Sequence, residues 1–191
     1  RTFTFTIFAV VIEAVLGTAI AIILNRAFIG KSLAKLLLLL PLVATPVAVG
    51  IVWLWMYDER GGFINWALRS AGIIVRPLGF LQSFDMALPA VIVTDIWQIL
   101  GFYMIVLLAG LQQIPTHLYE AARVDGVPAW ARFTRITLPM LRPALFLCAV
   151  IGLLNSMTAF DLVYVMTGGG PGNATELLIT YIYRMGFGQT K

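Results

Sequence analysis

Charge is scarce in this sequence: 12% of its 191 residues are Asp, Glu, Lys or Arg, where a soluble domain carries about 25%. Cysteine and histidine occur once each. Cys148 has no partner, so a disulfide framework is excluded. His117 has no Cys or second His at metal-ligand spacing and reads as a loop or cap residue. No basic run of five or more residues exists, which argues against a nucleic-acid partner despite a net charge of +4 and a pI near 9.5. The glycine-rich stretch Gly168-Gly169-Gly170-Pro171-Gly172-Asn173 lacks the Lys-Ser/Thr of a phosphate-binding loop. Neither a Ser–His–Asp arrangement nor an internal repeat is present.

What the chain has in quantity is apolar surface. It is 60% hydrophobic, with a mean hydropathy of +0.93. A water-soluble fold cannot hide that much, so lipid must act as solvent for much of it. Spanning the hydrocarbon core takes about 20 apolar residues in a helix, and four stretches qualify: Phe3 to Leu24, Leu36 to Tyr57, Ala87 to Leu111 and Ala144 to Thr167. The expected fold is all-α, a polytopic bundle of transmembrane helices. Pro41 and Pro46 each remove a backbone donor and favour a kink in the second span.

Four spans put the links 26–35 and 112–143 on one side. These hold seven Lys/Arg against Glu120 and Asp125, while the opposite side holds six Lys/Arg with Asp58, Glu59, Asp85 and Glu176. Counting Lys and Arg, the first side is assigned to the cytoplasm. On the other side, Gly61-Gly62 makes a break before a short interfacial helix, Phe63 to Leu68. Trp53, Trp55, Tyr57 and Trp66 fit an aromatic belt there. Thr175 to Phe187 reads as a second interfacial helix.

An acidic residue at mid-bilayer costs several kcal/mol unless it faces protein or water. Glu13 lies in the first span, Asp95 and Gln98 in the third, and Asn155, Thr158 and Asp161 in the fourth. Asp95 and Gln98 share a helix face, and the fourth-span trio spreads over one side of its helix. Such residues form either the wall of a polar pathway or hydrogen-bonding glue between helices. For Glu13 and the Asp95–Gln98 pair, packing is the favoured reading; for the fourth-span trio both readings stand.

The longest charged passage is Glu120 to Pro139. Thr116 is a candidate cap for a helix that Gly126 ends, because glycine takes positive φ without penalty. Pro128 suits the first turn of a second helix, Ala129 to Arg135, and Pro139 with Pro143 marks the return to the membrane. The expected product is a hinged helix pair on the membrane face, presenting Glu120, Arg123, Arg132 and Arg135 with Trp130 and Phe133 between them. Two readings apply: a docking surface for a partner, or an amphipathic connection with no partner.

The spacing Glu120-Ala121-Ala122, three residues, Gly126, nine residues, Ile136, one residue, Leu138-Pro139 resembles the EAA signature of bacterial ABC-importer permeases. Leu111 to Pro115, Asp125-Gly126, Gly62 to Asn65, Phe160-Asp161 and Thr167 to Pro171 resemble its carbohydrate-uptake branch, the MalF-like partner more than the MalG-like one. Val127 departs from the alanine that often follows the glycine. The resemblance implies a type I importer permease domain over 1–191, incomplete at both ends, with four spans of a six-span core and residues 112–143 as the cytoplasmic EAA coupling loop. It implies that Glu120, Ala121, Ala122, Asp125, Gly126, Ile136, Leu138 and Pro139 couple to an ATPase. Asn155, Thr158, Asp161, Asp95 and Gln98 are the candidate substrate pathway. The implied partners are a second, MalG-like permease, two cytoplasmic ABC ATPases that bind ATP and Mg, an extracytoplasmic solute-binding protein and membrane lipid. The chain itself is expected to hold no cofactor or metal, to be no enzyme and to lie in the bacterial inner membrane, importing a sugar, an oligosaccharide or a related polyol phosphate. Two alternatives are an ion-coupled secondary transporter using Glu13, Asp95 and Asp161, and a membrane enzyme with Asp95 and Asp161 as paired acids.

Overall fold

The computed structural model describes residues 1–27 and 29–187; Lys191, counted above on the outer side, lies outside them. All of the regular structure among the described residues is helical. Two helices are long and apolar enough to cross a membrane alone, α1 (Thr2–Asn25) and α5 (Phe84–Gln112). They pack along one another, and glycine permits the close approach: a Cβ on Gly17 of α1 would stand 2.7 Å from Tyr103 Cβ of α5.

The second span is not a kinked helix but two helices, α2 (Lys31–Val43) and α3 (Pro46–Met56), meeting at 103°. The break falls at Ala44-Thr45 and not at Pro41, which sits buried inside α2. Pro46 bars Thr45 from helical geometry and then serves as the first residue of α3. Thr45 Oγ1 caps α3 by accepting from Ala48 N–H at 3.4 Å. The freed carbonyl of Ala44 accepts from Gln98 Nε2 of α5 at 3.2 Å, so the bend is satisfied by a neighbouring helix as a low-dielectric setting requires.

After α3, the segment to α5 carries α4 (Phe63–Ser70). Asn65, 3% exposed, holds this segment down: its amide donates to Asp58 O and Leu78 O and accepts from Leu78 N–H, all within 3.1 Å. Gly62 has no room for a side chain, since a Cβ there would meet the Asp58 and Met56 carbonyls. The aromatic belt is narrower than expected. Trp55 and Trp66 are exposed, but Trp53 and Tyr57 turn inward, and Tyr57 Oη donates to Ala90 O at 3.1 Å.

Beyond α5 lies α6 (Thr116–Val124), whose cap position is Pro115 and not Thr116. The helix α7 (Ala129–Arg132) runs on past the expected end at Arg135, through a π-helical turn (Phe133–Thr137) into α8 (Leu138–Met140). Leu138 N–H reaches Phe133 O, the wider register falling just ahead of Pro139, which has no N–H to donate. A 62° bend at Leu141 leads into α9 (Arg142–Met157).

The fourth span is also broken. The helix α9 stops at Met157 and α10 (Asp161–Thr167) begins afresh. No proline or glycine lies at the break; Thr158 Oγ1 bonds back to Leu154 O at 2.8 Å, the local competition that unsettles helix ends. The helix α11 (Leu178–Phe187) follows the glycine-rich turn and is tied to it by Arg184, which pairs with Glu176 at 2.7 Å and with Asn173 Oδ1. Two apolar cores result. One joins α3, α5 and α10 around Val49, Trp53, Val91 and Val163. The other joins α1, α5 and α9 around Ala21, Tyr103, Leu107 and Cys148.

Candidate functional site

The five polar residues singled out in the spans come together. Asp95 and Gln98 from α5, Asn155 from the last turn of α9, Thr158 from the break and Asp161 from the first turn of α10 line one cleft of about 210 Å³, closed by Pro46, Ile99 and Phe160. The assembly depends on both helix breaks. Had α9 and α10 formed one helix, Asp161 would continue along it; the interruption instead places its carboxylate at a helix N-terminus, where negative charge is favoured. Asn155, Thr158 and Asp161 are exposed to the cleft, Asp95 is partly buried, and Gln98 is 5% exposed. Gln98 thus does both jobs weighed from the sequence: it lines the cleft and bonds to the Ala44 carbonyl.

Glu13 lies elsewhere. It is 1% exposed, and neither carboxylate oxygen has a hydrogen-bond partner among the described residues. The Asp95 carboxylate and the Tyr103 phenol are close enough to interact with it electrostatically. Glu13 does not line the cleft; it sits at the junction of α1, α5 and α9, within electrostatic reach of the cleft's Asp95.

The charged loop forms the second candidate surface. The end of α6 is a Schellman turn: Gly126 N–H donates to Arg123 O at 3.1 Å and Val127 N–H to Ala122 O at 2.9 Å. This closure needs a residue with positive φ, and Gly126 sits at +69°. Ala122 turns inward, whereas Glu120, Ala121, Asp125 and Gly126 face out. Ile136 packs into the α1–α5–α9 core, Pro139 is half-buried and Leu138 is exposed. The two halves are tied by a 2.9 Å hydrogen bond between Tyr119 Oη and Thr137 Oγ1, and Arg132 Nη1 donates to Val127 O. Arg132 is therefore turned toward the hinge and less available than expected, while Glu120, Arg123 and Arg135 remain exposed. Val124 and Trp130, exposed by 88% and 73%, flank the hinge with apolar surface.

Sequence reasoning missed Pro46, Ile99 and Phe160 in the cleft and Tyr103 beside Glu13. A proline or phenylalanine in an apolar run carries no polar signal, and only the crossing of the helices brings them to the site. Among the described residues, no group of three or more His, Cys, Asp or Glu is placed to hold a metal ion.

Residues 14–190 match the family described as the binding-protein-dependent transport system inner membrane component. The chain is 38% identical over 186 residues to a probable ABC transporter permease protein of Sinorhizobium fredii, covering 97% of this chain and 59% of that protein. It is 37% identical over 188 residues to the trehalose/maltose transport system permease protein MalF of Thermococcus litoralis, covering 97% and 63% respectively. It spans about three-fifths of the length of these relatives. Its fold is similar to that of a chain in a bacterial ABC transporter involved in the import of the acidic polysaccharide alginate, with a TM-score of 0.85 and 26% identity over 100% of this chain and 67% of that one. These likenesses support a binding-protein-dependent permease over an ion-coupled transporter.

Proposed function

Because the chain belongs to the family of binding-protein-dependent transport system inner membrane components, we propose that it is a permease subunit of an ATP-driven importer for a sugar or oligosaccharide. The cleft of Asp95, Gln98, Asn155, Thr158 and Asp161 carries this reading. Irregular backbone at membrane depth is tolerated where it is buried in protein or lines an aqueous cavity, and the break after α9 opens onto that cleft. The side chains there are short acceptors and donors, suited to hydroxyl groups. The cleft's 210 Å³ is below the roughly 300–1,000 Å³ of complete ligand pockets. A second permease, of the MalG-like kind, would supply the facing wall.

ATP hydrolysis then belongs to separate cytoplasmic subunits, which bind ATP and Mg. The docking surface for one of them is the hinge around Gly126, with Glu120 and Asp125 as polar contacts and Val124 and Trp130 as apolar ones. Ala121 leaves that surface flat, and Ile136 with Leu138 and Pro139 passes its displacement to α9. The alginate importer similar to this chain has also been solved in complex with an oligosaccharide-bound periplasmic protein, which supports a solute-binding partner on the face opposite the loop. On this reading the loop is cytoplasmic and the chain lies in the inner membrane. The test is uptake by the reconstituted importer with Asn155→Ala and Asp161→Ala. Both are expected to lose transport with normal subunit assembly. Unchanged transport would refute the cleft assignment, and uptake that survives ATP depletion but collapses with the proton gradient would refute the importer class.

A further inference from the structure

A second, larger cleft opens on the same helix pair that bounds the first. It measures about 900 Å³ and lies between the ends of α3 and α10, lined by Trp55, Tyr57, Asp58, Gln82, Met166 and Thr167 among others. Pro46, at the start of α3, borders the small cleft and Trp55 the large one. They are nine helical positions apart, about 13 Å at the α-helical rise. Along α10, Asp161 borders the small cleft and Thr167 the large one, a separation of about 9 Å by the same rise. The two openings are thus successive stations along one α3–α10 track, whose helices pack closely at Gly50 against Val165.

The lining of the large cleft has a definite chemistry. Trp55 is 78% exposed and presents a broad indole, while Leu54, Leu81, Met166 and Pro171 add apolar surface. Asp58 is oriented by accepting at Oδ2 from the Arg60 and Gly61 amides, at 3.0 and 2.8 Å. That leaves Oδ1 without a partner among the described residues, and Gln82 is exposed beside it. An aromatic face with a carboxylate and an amide at its rim matches a ligand with apolar C–H faces and a ring of hydroxyls. The volume falls within the roughly 300–1,000 Å³ of small-molecule sites.

We propose that this cleft is a waiting site for a carbohydrate, with a sugar ring stacked on Trp55 and its hydroxyls bonded to Asp58 and Gln82, before it advances along α3 and α10 to the Asp95–Asp161 cleft. The inference rests on the importer reading above. Cys148 is the single cysteine and is fully buried, so Gly61→Cys, at an exposed position of the lining with room for a Cβ, introduces one accessible thiol into this chain. The experiment uses the complete importer in proteoliposomes, a membrane-impermeant maleimide, and whichever of maltose or trehalose the wild type accumulates. Labelling of this chain is followed by mass. With sugar at about ten times its Kd, labelling of the Gly61→Cys chain falls roughly tenfold. Adding Trp55→Ala removes the protection and Trp55→Phe keeps it. A labelling rate unchanged by a sugar that the same vesicles import overturns the waiting site and leaves the importer reading standing. Wild-type accumulation that survives ATP depletion and collapses with the proton gradient overturns both.

Discussion

Tyr103 is held between two glycines, and the consequence can be tested by a double-mutant cycle. Its ring is 0% exposed. On one side Gly17 leaves room for its Cβ, and on the other Gly152 leaves room for its hydroxyl, which makes no hydrogen bond of good geometry among the described residues and stands beside Glu13. A Cβ at Gly152 would overlap that oxygen. The phenol cannot swing aside, because α1, α5 and α9 enclose it. Gly152→Ala should therefore sit at the upper end of overpacking costs, about 3 kcal/mol. Tyr103→Phe removes the polar neighbour of the buried Glu13 carboxylate and should cost about 1 kcal/mol by itself. In the double variant the closest remaining contacts are 3.2 Å, to Tyr103 Cζ and Val10 Cγ2, leaving about 1 kcal/mol of crowding. The pair should show an interaction energy of about 2 kcal/mol in favour of the double variant. Gly17→Ala supplies the control: its added Cβ meets Tyr103 Cβ, an atom phenylalanine keeps, so Tyr103→Phe should give it no relief. The assay is thermal unfolding of the purified importer carrying each variant. Additive destabilisation of Gly152→Ala and Tyr103→Phe, or equal rescue of Gly17→Ala, would refute the geometry.

Three further outcomes are expected. Gly126→Ala should cost about 1 kcal/mol, because φ of +69° is strained for alanine even though open space surrounds it. Gly126→Asn, which tolerates that conformation better, should be less destabilised in the same unfolding assay; the reverse order would count against the Schellman turn. Asn65→Ala strands the Leu78 amide and two carbonyls, about 2–3 kcal/mol of local stability, so protease added to the α4 side should cut residues 58–83 faster. Gln98→Leu leaves the Ala44 carbonyl without its donor, at about 1–3 kcal/mol. Spin labels on α2 and α3 should then report a broader distance distribution than the single 103° bend.

The composition alone determined the solvent. With 60% hydrophobic residues and 12% charged, this chain is stable as helices in lipid, because backbone groups there must find partners within their own segment. Local chemistry likewise determined the end of α6 at Gly126 and an irregularity at Pro46, since positive φ and a missing N–H are properties of single residues; that Pro46 begins a separate helix was not legible. What α9 would do after Met157 was not legible, because Thr158 ends α9 without capping α10, and neither Ala159 nor Phe160 is a breaker. The break became favourable only where α3 and α5 offered a cleft for the freed polar groups. The depth of the bend at Ala44 was decided the same way, by a glutamine reaching across from residue 98. Hydropathy reports how much surface a helix must hide, while the meeting of Asp95 with Asn155 and Asp161 depends on which helices cross and where each is interrupted.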